Sequence, residues 1–257
     1  MLIQEYVRTP VIEARGLCGG YGKAQVIHDL DLSVYPGEIV VLGGPNGAGK
    51  TTTLLTMSGD LPLLGGQVYW LGSASRAPLS RRAREGLGLV TEERSIFSRL
   101  SVHDNLRVSR CDYDYALALF PELVARLKIK AGMLSGGEQQ MLALARILAC
   151  RPKVLLADEL SLGLAPLVID RLLSVVRSAA DSGVGVLLVE QHVKKVMQIA
   201  NRVFVLRGGR MALSGYAEDL KDRLSVVEGS YFSEDESSSR DVRVESNVDN
   251  GRSYWNK

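Results

Sequence analysis

The sequence predicts an α/β fold with a mainly parallel sheet, and three observations predict it. Short apolar runs stand at 38–43, 154–157 and 185–189; the first is rich in β-branched residues and too short for a helix. Stretches with helical spacing lie between the later runs, at 138–150, 166–182 and 193–200. Strands alternating with helices form a parallel sheet covered on its faces. Two alternating segments near the start, 11–17 and 26–34, add antiparallel strands.

In chain order, residues 1–10 read as an N-terminal extension and 11–227 as the folded domain. The first two strands are separated by a turn at Gly19-Gly20-Tyr21-Gly22, and Pro36-Gly37 makes the next turn. A Gly-rich loop follows the strand at 38–43, and 50–58 is helical. Strands are expected at 66–71 and 87–91. From 101 to 130 the signals are helical: Ser101 is an N-cap candidate, and 115–119 and 122–127 carry helical spacing around Pro121. A small helical subdomain, about 95–150, is thereby inserted into the α/β body. Residues 202–207 and 210–214 make a hairpin across Gly208-Gly209. Residues 228–257 hold seven Ser, seven acidic and four basic residues. Such a segment buries too little to offset its ordering entropy, and a disordered tail is expected.

Composition narrows the class. Among 257 residues, 46% are apolar and 23% charged, the balance of a soluble globular domain. A net charge of +2 gives no argument for nucleic acid. Cys18, Cys111 and Cys150 show no metal-binding spacing and no disulfide framework, so three unpaired cysteines and a reducing compartment are expected. No signal peptide is read in residues 1–16, and no apolar run approaches the ~18 residues that span a bilayer.

The loop Gly44-Pro45-Asn46-Gly47-Ala48-Gly49-Lys50-Thr51 matches G-x-x-x-x-G-K-[ST], after a strand and opening a helix. Glycines let backbone N–H groups close around phosphate oxygens, and the helix N-terminus adds partial positive charge. Lys50 supplies a point charge to the outer phosphates, and Thr51 can ligate Mg²⁺. The run Val154-Leu155-Leu156-Ala157-Asp158-Glu159 delivers two carboxylates to the carboxyl edge of the sheet. Asp158 is the candidate for the Mg²⁺ shell. Glu159 is the candidate that orients the attacking water, because phosphoryl transfer depends on positioning and charge stabilisation.

Leu134-Ser135-Gly136-Gly137-Glu138-Gln139-Gln140 combines an S-x-x-E capping box with two glycines that admit a phosphate to the first helical turn. With the phosphate loop upstream and the Asp-Glu strand downstream, the chain resembles the ATPases of ABC transporters over about residues 11–220. The resemblance implies a P-loop NTPase core and two such domains paired head to tail. Ser135, Gly136 and Gly137 of one domain would then meet ATP held by the loop of the other. It also implies that Tyr21 stacks on adenine, that Thr52 joins the phosphate contacts, and that Glu92 stands where a Gln senses the γ-phosphate and the metal. Gln191 stands where that family has its switch His, with His192 one residue later. Ala165 replaces an Asp, and Leu160 replaces the Pro after the Asp-Glu pair.

The run from Leu134 to Pro166 resembles the ATPase subunits of branched-chain amino acid importers. That resemblance implies an ATP- and Mg²⁺-dependent ATPase of an importer. It would act on the cytoplasmic face of the membrane through integral permease subunits. A second ABC ATPase subunit, identical or sister, and indirectly an extracytoplasmic solute-binding protein complete the partners, without nucleic acid. An exporter ATPase of the lipid or lipopolysaccharide type, and a soluble nucleotide switch of low turnover, stand as alternatives.

Overall fold

The computed structural model describes residues 9–93, 95–191 and 193–220. The tail expected at 228–257, most of the N-terminal extension and His192 lie outside them.

The chain opens with two long strands, β1 (Ile12–Tyr21) and β2 (Ala24–Val34), paired antiparallel. The strand β3 (Ile39–Gly43) leads through the Gly-rich loop into the helix α1 (Lys50–Ser58). Next come β4 (Leu63–Trp70), the two-residue β5 (Ser73–Ala74), the helix α2 (Leu79–Glu85) and the strand β6 (Leu87–Val90). A helical stretch follows, with α3 (Val102–Val108), α4 (Tyr113–Leu119), 3₁₀ turns at Pro121–Arg126 and Ala131–Met133, and α5 (Gly136–Leu148). The body resumes with β7 (Val154–Asp158), α6 (Pro166–Asp181), β8 (Gly185–Val189) and the short α7 (Val193–Val196). It closes on β9 (Arg202–Arg207), β10 (Arg210–Tyr216) and α8 (Ala217–Leu220).

Two sheets result. The six-stranded sheet has the order β10-β9-β3-β8-β7-β6 and is parallel except for β10. The four-stranded sheet, β2-β1-β4-β5, is antiparallel. Every residue of β3, β7 and β8 is buried, as strands covered on both faces require. The alternation of side chains divides them between two cores. Ile39 and Val41 of β3 pack with Leu155, Leu188, α5 and α6. Val40 and Leu42 pack with Leu156, Leu187 and with Leu54 and Met57 of α1, under Ile12, Leu17 and Leu30 of the antiparallel sheet. The helix α1 is thus clamped between the sheets, which fixes the loop that precedes it.

The helical caps follow the local chemistry. The Ser101 hydroxyl accepts the Asp104 N–H at 3.0 Å, and the Asp112 carboxylate accepts the Tyr115 N–H at 2.9 Å. The segment expected to be helical at 122–127 is a 3₁₀ turn, because Pro121 blocks continuation from α4.

Three other expectations are corrected, and one helix, α2, is not among those expected. The strand β1 runs through Gly19, Gly20 and Tyr21, so the turn begins at Gly22. The two glycines serve close approach: a Cβ on Gly19 would collide with the Thr56 side chain, and one on Gly20 with the Ala24 carbonyl. The helix α2 has no apolar periodicity to announce it, because its buried anchor is Arg82, whose guanidinium donates to the carbonyls of Met57 and of Ser75. The helix expected at 193–200 ends at Val196. Finally, Cys111 and Cys150 form a disulfide with Cα atoms 4.8 Å apart, and only Cys18 is free. The 39-residue separation hides this pair in the sequence; the Asp112 N–H donating to the Ala149 carbonyl brings the ends of the two segments together. Among the described residues no helix is long and apolar enough to cross a membrane.

Candidate active site at the carboxyl edge of the sheet

The strands β3, β7 and β8 end level with one another: Leu42 and Asp158 both stand beside Val189. The Gly-rich loop, Glu159 and Glu190 therefore leave the sheet at one edge, where ligands bind in open α/β sheets. A cavity of about 440 Å³ opens there, lined by Tyr21, Asn46, Gly47, Gly49, Lys50, Thr51, Thr52, Glu92, Glu159 and Gln191, with Val26 and Leu162.

The loop is held from outside. Gly209, in the β9–β10 turn, donates its N–H to the Ala48 carbonyl at 3.0 Å. Gly44, Gly47 and Gly49 have φ of 144°, 79° and 100°, which side-chain-bearing residues rarely adopt. Gly49 caps α1 without any side-chain hydrogen bond, so no side chain occupies the N–H groups of the first turn. The Lys50 ammonium donates to the carbonyls of Gly44 at 2.9 Å and Pro45 at 3.1 Å. Burial lowers its pKa, opposed by the charges of Glu159, Asp158 and Glu190.

Asp158 ends β7 and is 2% exposed. Burial pushes its pKa up to about 6, opposed by a hydrogen bond from the Thr51 hydroxyl; Glu159 and Glu92 add repulsion. One carboxylate oxygen, Oδ1, is buried without a hydrogen-bond partner. An orphaned buried oxygen beside a hydroxyl and close to a phosphate loop fits Mg²⁺, which is held by one or two carboxylates together with substrate phosphates. Glu159, next in sequence, has φ of 48° and donates its N–H to the Val189 carbonyl at 2.9 Å, so its side chain emerges into the cavity from a strained turn.

Tyr21 is 53% exposed at the cavity rim, so it is no core aromatic. Glu92 and Gln191 both line the cavity. Gly44, Pro45 and Ala48 shape the loop without lining it.

Ser135, Gly136 and Gly137 are absent from this lining. They open α5, where the Ser135 N–H donates to Glu138 Oε2 at 2.8 Å and the Glu138 N–H donates to Ser135 Oγ at 3.3 Å. The Glu138 carboxyl lies below its ordinary range, chiefly because Arg126 bonds it at 2.7 Å, then because of the Ser135 backbone. Gly137 has a packing role as well: a Cβ there would stand 2.8 Å from Val168 Cγ1.

The sequence left one polar pair unread. Glu190 is 2% exposed and accepts from Ser161 twice, from the backbone N–H at 3.1 Å and from the hydroxyl at 2.7 Å. Burial pushes its pKa up to about 7, opposed by those two bonds. The acid closing a fully apolar strand was its one visible signal.

The family model described as ABC transporter matches residues 27–161. The chain belongs to the ABC transporter family. It is one of that family's ATPases, and ATP is its nucleotide. It is 42% identical over 203 residues to the high-affinity branched-chain amino acid transport ATP-binding protein BraG of Pseudomonas aeruginosa, covering 75% of this chain and 87% of that one. It is 36% identical over 216 residues to the lipopolysaccharide export system ATP-binding protein LptB of Escherichia coli K12, covering 79% and 90%. A nucleotide-free ATP-binding cassette from an ABC transporter superposes with a TM-score of 0.78 over 88% of this chain and all of that one, at 21% identity. At that identity the likeness establishes the fold, a P-loop NTPase core. Within the ABC family frame, the cavity is where this cassette's own nucleotide loop and acidic strand end meet, and the α5 terminus stands apart from it.

Proposed function

We propose that this cassette hydrolyses ATP to drive import of branched-chain amino acids or similar small polar solutes through partner permeases. The single observation that carries the site is that an uncapped helix N-terminus, Thr51 and the buried Lys50 meet on one cavity, with the buried Asp158 and its orphaned oxygen joined to that lining through the Thr51 hydroxyl. Similarity to BraG supports the choice of solute.

The loop N–H groups, Lys50 and Thr52 grip the phosphates, displacing the Lys50 ammonium from the carbonyls it now holds. Tyr21 stacks on the adenine face. Thr51 and Asp158, with Glu92 beyond them, hold Mg²⁺, which when bound neutralises charge on the phosphates. Glu159 accepts a hydrogen bond from the attacking water and aims it at the γ-phosphate; Gln191 reaches the same region. Ser135, Gly136 and Gly137 belong to the second half-site, presented to nucleotide on a partner cassette. Closure on ATP and reopening after hydrolysis move the permease on the cytoplasmic face, provided ATP prefers the closed state. An extracytoplasmic binding protein supplies the solute.

The test is reconstitution with the permease subunits in liposomes. Solute-stimulated ATPase with inward leucine movement is expected. Stimulation by lipopolysaccharide without leucine transport would favour the export reading, which similarity to LptB supports.

A further inference from the structure

Glu190 sits where β8 leaves the sheet, with its backbone N–H on the Leu42 carbonyl at 3.1 Å, at the base of the Gly-rich loop. A buried carboxylate is costly unless its oxygens are satisfied. Here both oxygens are engaged, and by one residue: Ser161 donates its backbone N–H to Oε1 and its hydroxyl to Oε2. The turn that carries Ser161 is otherwise held by the buried Leu160 and by the Glu159 N–H on the Val189 carbonyl at 2.9 Å, both N-terminal to Ser161. Its own bonds are long, from the Leu162 N–H to the Glu159 carbonyl at 3.3 Å and from the Leu164 N–H to the Ser161 carbonyl at 3.4 Å. Glu159, in the same turn, keeps a left-handed backbone that persists only where its surroundings over-determine it. On its other side Glu190 is bonded covalently to Gln191, which lines the cavity.

We propose that Glu190 is a positioning residue for hydrolysis: by holding both donors of Ser161 it fixes the turn that aims Glu159, and with it the adjoining Gln191, at the nucleotide. The proposal rests on the role given above to Glu159. Glu190 touches no reacting atom. It locks the end of β7 to the end of β8 by a bond spanning 29 residues of sequence.

The test is steady-state ATPase and Mg·ATP affinity of the full chain. Misplacing a catalytic group by about 1 Å costs on the order of 100-fold in rate. Glu190→Ala is therefore expected to lower kcat about 100-fold while ATP affinity stays within about threefold. Glu190→Gln, whose amide oxygen still accepts from the backbone and whose NH₂ can donate to the hydroxyl, is expected to recover kcat to within about tenfold of the parent. The double variant Glu190→Ala/Ser161→Ala should be no slower than Glu190→Ala alone, because the two act as one unit. Parental kcat in Glu190→Ala, an equal fall in affinity and kcat, or fully additive losses would each overturn the role. Should Glu190→Ala fail to fold, Ser161→Ala decides: reduced kcat at unchanged affinity supports the lock, and parental kcat removes it. Glu159→Gln run in parallel separates the two levels. A slow Glu159→Gln beside a normal Glu190→Ala overturns the positioning role alone, whereas normal turnover in Glu159→Gln removes the role of Glu159 and this inference with it.

Discussion

Two helix N-termini in this molecule carry glycines, just before the first turn of α1 and within that of α5, and they are finished in opposite ways. The helix α1 begins after Gly49 with no side-chain cap. The helix α5 begins after Ser135 with a complete capping box, and its Glu138 is tied further to Arg126. A terminus left uncapped keeps its N–H groups for a ligand, while a capped one has spent part of its donors on itself. The first is surrounded by the cavity, Lys50 and the acidic end of β7. The second, outside that lining, presents a hydroxyl, and Met133 beside it is 77% exposed. On the function proposed above, the first is a nucleotide site able to bind by itself, and the second is a surface that needs another cassette to become one.

The largest expected effect falls on the first region. Glu159→Gln keeps ATP binding, because the phosphate contacts are untouched, but slows hydrolysis by at least ~100-fold, about 2.7 kcal/mol in the barrier. Single-turnover hydrolysis with bound ATP checks this.

A smaller effect has the opposite sign on stability. The Asp158 carboxyl has a pKa of about 6 in the fold against an ordinary 3.8. The folded state therefore binds the proton more tightly than the unfolded chain. Below about pH 4 both states are protonated and the cost is nil; as pH rises through that window, nucleotide-free protein loses stability, and above about pH 6 the loss is complete. Asp158→Asn should abolish that loss. In chelator at pH 8 it should unfold later in denaturant by on the order of 2 kcal/mol, with no difference near pH 3. Parallel pH profiles in parent and variant would remove the account of Asp158 as a carboxylate buried in wait of a cation.

The smallest effect belongs to the second region. Ser135→Ala removes one cap and should cost about 1 kcal/mol in a denaturant midpoint. A cost several times larger would mean that the α5 terminus is bound into the fold more tightly than its exposed hydroxyl indicates.

What was legible in the sequence was contiguous. The phosphate loop, the Asp158-Glu159 strand end and the Ser135–Glu138 box are short runs whose residue types state their chemistry. Parallel strands were legible because burial on both faces makes them uniformly apolar. What escaped notice depended on distance or on an unexpected residue type. The Glu190–Ser161 lock spans 29 positions. The helix α2 buries an arginine where a periodic pattern looks for a leucine. Gly19 and Gly20 were read as a turn because glycine permits one, although here they let a strand pass close to Thr56 and Ala24. The Cys111–Cys150 pair has no spacing signature at all.

The most direct measurement is calorimetric titration of Mg·ATP into the isolated chain and into two variants, Lys50→Ala and Ser135→Ala. The account predicts that Lys50→Ala loses measurable binding, a fall of at least ~100-fold or about 2.7 kcal/mol, while Ser135→Ala binds as the parent does. Equal losses in both, or undiminished affinity in Lys50→Ala, would contradict it.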